Sequence, residues 1–412
     1  MLVDLGIQTM RSVRAHALRF ALTSLGMAWG IMMLTYLSAS MDGYDLHFAH
    51  QVDEIGQRIV FLFPGTVTKQ RLGQRGARTV ELKREDVTRL AGLHQVEHAG
   101  TNTWVGARIF RAGARTKLIF THGVTEDTAT IRNFEVGQGR FITHREVETG
   151  ASVVFLGAKA ARRLFGAAPA VGRTVHVDGI PFRVVGVSRE KGEQLLYVGP
   201  ADDEVALIPV TTATQWFTHS RVVGQVVFAP RTRPESWAAL DSVRGLLGLH
   251  RRFEASDKTA MGSFNVQEVV QLIEGLLLGL RVFLSTASLI TLLVGAVGVM
   301  NIMLVVVSER TKEIGLRKAV GASNREIFVQ FLLETLAVTL IAGLVGATLG
   351  VLFVHVSAAA IGRDSMMQAV PVLRPVVVVY VLATLVGTGL GAGTLPALRA
   401  MRIDPAESLR AI

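Results

Sequence analysis

Few side chains in this sequence have the type and spacing that chemistry requires. His94 and His98 form an H-x-x-x-H pair. A metalloprotease helix needs its glutamate directly after the first histidine, and here the glutamate is Glu97. We therefore expect an exposed helix or loop at this pair, with a metal site as the alternative. The acidic run 202–204 (Asp-Asp-Glu) could hold a cation, but we expect a solvated loop there too.

Nucleotide and thiol chemistry lack their sequence signatures. There is no P-loop, no G-x-S-x-G and no G-x-G-x-x-G in a strand-turn-helix setting. Because the chain has no cysteine, thiolate metal sites, disulfides and thiol catalysis are excluded. The net charge of +10 would attract phosphate, but the arginines are scattered and lack aromatic platforms, so we expect no nucleic acid as partner. The sequence predicts a chain that is not an enzyme and has no catalytic, cofactor-binding or metal-binding residues.

The composition indicates a membrane protein. Of the 412 residues, 50% are hydrophobic and 18% are charged, whereas soluble domains carry about 25% charged residues. Four uncharged runs are long enough to cross about 30 Å of hydrocarbon, namely residues 20–39, 282–307, 335–354 and 376–395. The first run is longer than a signal-peptide core and no A-x-A-like cleavage site follows it, so we expect a retained helix.

Basic residues in the short flanking segments predict the orientation, because lysine and arginine are held on the cytoplasmic side. The basic residues on one side of the membrane are Arg11, Arg14, Arg19, Arg310, Lys312, Arg317, Lys318, Arg325, Arg399, Arg402 and Arg410. The opposite short loop has only Arg363 and Arg374 beside Asp364. We therefore expect both termini in the cytoplasm of a multi-pass inner-membrane protein.

The predicted fold is a membrane protein with four transmembrane α-helices and a large α+β extracytoplasmic (periplasmic) domain inserted between helices 1 and 2. The expected order is a cytoplasmic amphipathic elbow at 1–19, helix 1 at 20–40, the periplasmic core domain with helical stalk extensions at 41–275, helix 2 at 276–308, a cytoplasmic coupling helix at 309–324, helix 3 at 325–356, a short periplasmic loop at 357–374, helix 4 at 375–397 and a cytoplasmic tail at 398–412. Within the outer domain, alternation and glycine punctuation predict strands at 58–63, 117–122, 153–156, 174–177, 182–187 and 222–228, and helical spacing predicts helices at 158–165, 234–247 and 266–280.

Glycines recur at helical spacing inside the membrane runs. Small residues let helix backbones approach closely, which is how helices associate in lipid. We expect helix packing at Gly26, Gly30, Gly295, Gly298, Gly343, Gly346 and Gly350. The alternative is that glycine is simply more frequent in membrane helices.

The membrane runs carry almost no ionisable side chain. The candidates are Glu334 and His355, each at an edge of the third run, and the neutral Asn301. Glu334 lies next to the basic segment, so we expect it to cap or pair at the cytoplasmic boundary and not to relay protons. A secondary transporter is therefore not expected.

The segment 309–323 mixes charges of both signs with apolar residues. Ile314, Leu316, Ala319 and Val320 could share one side of a short amphipathic helix that ends at Gly321. Such a helix suits docking to another protein, because complementary charge sets the register and the apolar face supplies contact. An ordinary solvated loop is the alternative that the residues leave open.

The same region resembles a known family. The run 293–303 (LVGAVGVMNIM) leading into 309–322 (ERTKEIGLRKAVGA) is similar to the signature of MacB/FtsX-type ABC-transporter permeases. Residues 396–400 (PALRA) and 403–410 (IDPAESLR) resemble its closing motif. Residues 139–141 (GRF), 164–166 (LFG), 171–173 (VGR) and 182–187 (FRVVGV) resemble its periplasmic core domain.

The resemblance implies the permease subunit of an ABC transporter, whose separate ATP-binding subunit binds ATP and Mg while this chain binds no cofactor. It implies ATPase-coupling roles for Glu309, Arg310, Lys312, Glu313, Ile314, Gly315, Arg317, Lys318, Gly321 and Ala322. The implied partners are that ATP-binding subunit, a second permease copy or paralogue as dimer, a periplasmic adaptor and membrane lipids. ATP-driven motion would reach the outer domain by mechanotransmission through 41–57 and 266–281, for export or extrusion of a substrate.

Two other functions stay open within the family. One is a lipoprotein-releasing permease, and the other is an FtsX-like regulator that activates an extracytoplasmic enzyme without transport. MacB itself begins with a fused ATPase domain, whereas this chain has no Walker A motif, so its cargo and outer-membrane partners do not transfer directly. The cargo is left open by the sequence.

Overall fold

The computed structural model describes residues 17–56, 58–69, 78–192, 199–220, 222–360 and 369–406. Its α-helices are α1 (Ala17–Ile55), α2 (Arg84–Ala91), α3 (Thr128–Ile131), α4 (His144–Thr149), α5 (Ala158–Phe165), α6 (Val210–Ala213), α7 (Ser236–Arg251), α8 (Val266–Glu309), α9 (Thr311–Ala319), α10 (Asn324–Ala360) and α11 (Pro375–Met401). Its strands are β1 (Val60–Pro64), β2 (Thr66–Val67), β3 (Arg78–Thr79), β4 (Val96–Ala112), β5 (Arg115–Val124), β6 (Val136–Gly139), β7 (Val153–Leu156), β8 (Thr174–Val177), β9 (Ile180–Ser188), β10 (Val205–Pro209), β11 (Val226–Pro230) and β12 (Met261–Asn265).

The chain folds as two compact units. A helical unit comprises residues 1–48 and 275–412, and an α+β unit comprises residues 49–274. Among the described residues, α8, α10 and α11 are long and apolar enough to cross a membrane. The chain is therefore a membrane protein. The predicted count of four spans is not confirmed, since α1 is not among these helices.

The α+β unit contains a small closed barrel. Strand β4 pairs with β5, then β5 with β10, β10 with β7, β7 with β9, β9 with β8, and β8 returns to β4. Alternate residues of these strands point inward, and Phe110, Ile119, Leu156 and Phe182 lie among the apolar side chains that fill the interior. Closure leaves these strands without a free edge, which removes a common site of unwanted strand pairing.

A second core lies beyond the barrel. Strand β4 continues into an antiparallel sheet of order β12-β1-β11-β4, and α2 and α7 pack on it through Leu90, Leu240 and Val243. Strands β1 and β11 are short runs of mainly apolar residues, with all of β11 and the first three residues of β1 buried, which explains why the sequence predicts them. The 17-residue strand β4 was not predicted, because its central residues 101–103 (Thr-Asn-Thr) are polar but buried.

Predicted strands at 153–156 and 174–177 and the helix at 158–165 coincide with β7, β8 and α5. The predicted strands at 58–63, 117–122, 182–187 and 222–228 correspond to β1, β5, β9 and β11 with shifted ends. The helix predicted at 234–247 is α7, and that at 266–280 is the beginning of the continuous α8. Some predictions concern residues that the structure does not describe. They are those on the elbow up to residue 16, on Arg363 and Asp364, and on the tail from residue 407.

Both candidate metal motifs need correction. His98 lies on strand β4, not on a helix or loop, and its Nδ1 is 3.6 Å from Asp127 Oδ1. Asp202 and Asp203 are 2% and 1% exposed, so the predicted solvated loop is wrong. Within the described residues, no group of His, Asp and Glu could hold a metal ion. Both sites therefore have structural neighbours in place of a cation.

A buried ion-pair network replaces the expected acidic loop. Arg132 forms an ion pair with Asp202 Oδ1, and Lys191 Nζ lies 2.9 Å from Asp202 Oδ2. Asp203 accepts the backbone N–H groups of Lys191 and Gly192. Burial, then the positive charge of Arg132, lower the pKa of the nearby His122 to about 4, so this imidazole is neutral at pH 7. The network stabilises the outer surface of the barrel.

Replacing Asp202 by alanine should destabilise the α+β unit strongly. Arg132 and Lys191 have side chains that are 9% and 7% exposed, so the substitution leaves buried cations without this carboxylate. Loss of one partner of a buried pair costs about 3–5 kcal/mol. Denaturant unfolding of the whole chain in detergent, followed by tryptophan fluorescence, measures the loss. Asp241→Ala, at an exposed position of α7, is the matched control and should shift the midpoint little; equal midpoints for both variants would contradict the network.

Candidate functional site

Helix α9 follows α8 after the single residue Arg310. The junction keeps its hydrogen bonds, since the Arg310 N–H donates to the Val306 carbonyl and the Ile314 N–H donates to the Arg310 carbonyl, each at 3.0 Å. The link is therefore a short bend between two helices and not an open loop. This excludes the solvated-loop alternative for the segment.

The end of α9 is a Schellman motif. The Ala322 N–H donates to the Arg317 carbonyl at 3.0 Å and the Gly321 N–H donates to the Lys318 carbonyl at 3.1 Å. Gly321 has φ of +109°, a conformation that glycine adopts without strain. The predicted stop at Gly321 is confirmed. Ser323 then begins α10 with a reciprocal bond to Glu326, which fixes the turn between the two helices.

The apolar residues of α9 do not share one face, contrary to the sequence analysis. Ile314 is 2% exposed and packs in the bundle core, and Gly315 is buried beside it. Leu316 and Val320 are 56% and 82% exposed, and Ala319 is exposed with them. The reason is geometric, because positions 316 and 320 are one turn apart while position 314 lies on the opposite side. One apolar face holds α9 in place, and a second faces outward.

The charged residues of the segment form two groups, those that contact neighbouring helices and those that are exposed. Arg310 pairs with Glu334 of α10 at 3.3 Å, and Arg317 bridges Glu313 at 2.6 Å. Lys318 Nζ donates to the Met401 and Ile403 carbonyls at 2.9 and 2.7 Å. The remaining members of the predicted coupling set are the exposed Glu309 and Lys312 and the half-buried Ala322, which packs against the bundle core.

Five of the seven predicted packing glycines lie at close helix contacts, namely Gly30, Gly295, Gly343, Gly346 and Gly350. Gly26 of α1 faces Gly295 of α8, since a Cβ built on Gly26 would lie 3.9 Å from the Gly295 Cα. A Cβ on Gly295 would lie 2.9 Å from the Met27 backbone nitrogen, and one on Gly30 would lie 3.2 Å from the Leu292 backbone. Between α1 and α8, Gly295 therefore leaves no room for a larger residue and Gly30 is tight, whereas the Gly26 contact is an ordinary van der Waals distance.

A second seam joins α10 to α1 and α11. A Cβ on Gly346 would lie 2.2 Å from the Ala28 carbonyl oxygen, and one on Gly350 would lie 2.8 Å from Thr35. Gly343 faces Leu385 of α11, with 2.2 Å between its added Cβ and the Leu385 side chain. Gly298 is half-buried in α8. Helix α1 therefore lies against both α8 and α10.

The three polar candidates of the membrane helices, Glu334, Asn301 and His355, do not lie together. Glu334 pairs with Arg310, as predicted for a boundary residue. Asn301 and His355 are exposed, on α8 and α10 respectively. Among the described residues of the helical unit, we therefore see no internal row of ionisable groups such as a proton relay would need.

Comparison with known families agrees with both units. Residues 20–243 match the family described as MacB-like periplasmic core domain, and residues 285–405 match the FtsX-like permease C-terminal family. The chain belongs to the MacB/FtsX permease family. The α+β unit is thus of the periplasmic MacB type, and the helices that bear α9 are of the FtsX type.

Curated relatives share this organisation over nearly the whole chain. One named macrolide export ATP-binding/permease protein MacB, from Azoarcus sp., is 32% identical over 99% of this chain, and one from Bdellovibrio bacteriovorus is 29% identical over 98%. The chain spans 59% and 61% of the length of these two relatives. A crystal structure of the periplasmic region of MacB from Actinobacillus actinomycetemcomitans is 22% identical, covers 54% of this chain and 95% of that chain, and has a TM-score of 0.43.

Two features of the site could not be found from the sequence of this family member. The sequence marks Lys318 only as one basic residue in a basic segment, and its carbonyl partners lie more than eighty residues away. Gln330, which links Arg317 to Glu334, gave no signal at all. The one available hint was the position of Glu334 next to a basic loop.

Gly346→Ala should weaken the helical unit. The added methyl group would meet the Ala28 backbone, which cannot move as a flexible side chain does, and overpacking costs about 1–3 kcal/mol. Gly391→Ala on α11 is the matched control, because its Cβ meets nothing within 4 Å and alanine favours helix by about 1 kcal/mol. Thermal unfolding in one detergent measures both. A Gly346→Ala midpoint at or above that of the Gly391 control would refute the seam.

Proposed function

We propose that this chain is the permease subunit of an ABC transporter and that the outward face of α9 docks on an ATP-binding subunit. The observation that carries the proposal is the exposed apolar pair Leu316 and Val320, with Ala319 between them and the cation Lys312 beside them. An apolar centre flanked by charge is the usual composition of a docking surface. The relatives' names include both ATP-binding and permease functions, and the matched region is the part that bears α9.

The proposed topology has four spans in the inner membrane, with α1 as the first. Helix α1 packs along α8 and α10 through glycine contacts, as a spanning helix of the same bundle would. Arg310, Lys312, Arg317, Lys318 and Arg325 lie in or next to α9, and this basic excess supports a cytoplasmic position. Both termini would then be cytoplasmic and the α+β unit periplasmic.

The proposed output is export or extrusion driven by mechanotransmission. ATP and Mg would be bound by the partner and not by this chain, and a second permease would complete a dimer. The polar candidates Glu334, Asn301 and His355 do not line up as a relay, which favours motion over passage through the bundle. Because the curated relatives are named as macrolide exporters, export is favoured over lipoprotein release or regulation of an extracytoplasmic enzyme.

Leu316→Glu and Val320→Glu should reduce capture of the ATP-binding subunit. Placing a carboxylate at the centre of an apolar contact leaves that charge desolvated, and we expect at least about a tenfold loss of affinity, as for an interface hot spot. The chain is purified from its native membrane in mild detergent, co-purified proteins are identified by mass spectrometry, and ATP turnover and binding of the recovered subunit are measured.

Leu249→Glu is the matched control. Leu249 is 70% exposed on α7 of the α+β unit, so the change is the same in chemistry and similar in exposure to Leu316. Control and unaltered chains should bind the subunit equally. Failure of the unaltered chain to retain any ATPase would overturn the permease proposal, and full binding by both α9 variants would overturn the assigned face.

A further inference from the structure

Helix α9 is held to α10 by an unbroken chain of polar contacts. The first contact joins Arg317 to Glu313 at 2.6 Å. Arg317 also donates to Gln330 at 2.8 Å, and Gln330 donates to Glu334 at 3.2 Å. Arg310, at the beginning of α9, closes on the same Glu334 at 3.3 Å. Both ends of α9 are therefore connected to one carboxylate on α10.

That carboxylate is deeply buried. The side chains of Glu334 and Arg310 are 2% and 14% exposed. Separating a buried pair leaves uncompensated charge, so the pair resists any motion that would pull α9 from α10. Ile314 adds an apolar contact in the same place, since it packs in the core cluster that includes Phe331.

Lys318 attaches α9 to a third helix. Its ammonium donates to the carbonyl oxygens of Met401 and Ile403, at 2.9 and 2.7 Å. Met401 is the last residue of α11, and the final carbonyls of a helix have no intrahelical partner. A cation at this end is favoured both by those free carbonyls and by the helix dipole. Lys318 thus caps α11 from α9.

We propose that Lys318, Arg310 and Glu334 are positioning residues that transmit displacement of α9 to α10 and α11 as well as along α8. The inference rests on the proposed function, in which an ATP-binding subunit moves α9. The outward residues Leu316 and Val320 receive the motion, and the inward residues pass it on. Tilting or sliding α9 alone would break charge-assisted bonds on two neighbouring helices, whereas moving the helices together keeps these bonds intact.

Lys318→Met tests the connection to α11. Methionine keeps an unbranched apolar side chain but removes the charge and the donors. The chain has no cysteine, so spin labels can be placed only at introduced cysteines, Val282→Cys on α8 and Val376→Cys on α11, which are 58% and 75% exposed. Labelled chain is mixed with excess unlabelled chain and the recovered ATP-binding subunit in nanodiscs. The distance between labels is measured by pulsed electron paramagnetic resonance with and without ATP-vanadate.

We expect the unaltered chain to change distance on trapping. Lys318→Met should retain the ATP-binding subunit and shift the ratio of the two distance populations at least about tenfold toward the untrapped one, the size expected for even one of the two lost charge-assisted hydrogen bonds. Lys318→Arg, which keeps the cation and donors, should restore the change. Arg399→Met removes an exposed cation in the last turn of α11 without touching the cap, and it should behave as the unaltered chain does.

Each other outcome contradicts a specific statement. An unaltered chain that retains no ATP-binding subunit overturns the proposed function and this inference with it. An unaltered chain that binds the subunit but shows no distance change, or a Lys318→Met chain that responds fully, overturns the inference alone. Loss of subunit binding in Lys318→Met would make Lys318 a docking residue, and equal loss in Lys318→Arg or Arg399→Met would deny the cap its specific role.

Glu334→Gln is the second variant. Glutamine keeps the shape and one acceptor oxygen, but it replaces the other oxygen by an NH2 donor and removes the charge that pairs with Arg310. The same labels and trapping should show a weakened response with the ATP-binding subunit still bound. A full response would remove Glu334 and Arg310 from the transmission path, whatever the result at Lys318.

Discussion

Close backbone contact between helices is the constraint on which the helical unit depends. In hydrocarbon, water does not drive helices together, so association needs packing surfaces where small residues let backbones meet. Gly295 provides one such contact with Met27, and Gly346 provides another with Ala28, so neighbouring residues of α1 are held from two sides. Helices α8 and α10, which precede and follow α9, therefore both pack against α1.

The polar contacts at α9 build on that arrangement. A short helix of nine residues cannot form a core of its own, so α9 is positioned by what it contacts. Ile314 and the Arg310–Glu334 pair place it against α10, and Lys318 places it against the end of α11. Leu316 and Val320 take no part in these contacts and are exposed. Helix geometry alone explains why Ile314 is buried while Leu316 and Val320 are exposed, since they lie on opposite sides of the helix.

Local patterns predicted much of this structure, and distant partners explain what they missed. Strand β7 is a short continuous apolar run and β8 alternates between exposed and buried residues, and Gly321 is a C-terminal stop on sequence grounds alone. The acidic triplet 202–204 is typical of a solvated loop unless a cation is buried beside it. The local sequence did not show that cation, because Arg132 lies seventy residues from Asp202. The predicted single apolar face of α9 was wrong for a related reason. The four apolar residues between positions 314 and 320 fit more than one helical face, and only the neighbouring helices decide which face is buried.

Helices α1 and α8 each cross the boundary between the helical unit and the α+β unit. Helix α8 has 44 residues, and at about 1.5 Å per residue it is roughly 66 Å long, about twice the hydrocarbon thickness. Helix α1, with 39 residues, is similarly long at about 58 Å. Each helix belongs in part to the helical unit and in part to the α+β unit. In the proposed function, force applied at α9 would have a continuous covalent route through Arg310 and α8 to residues 266–274, which belong to the α+β unit.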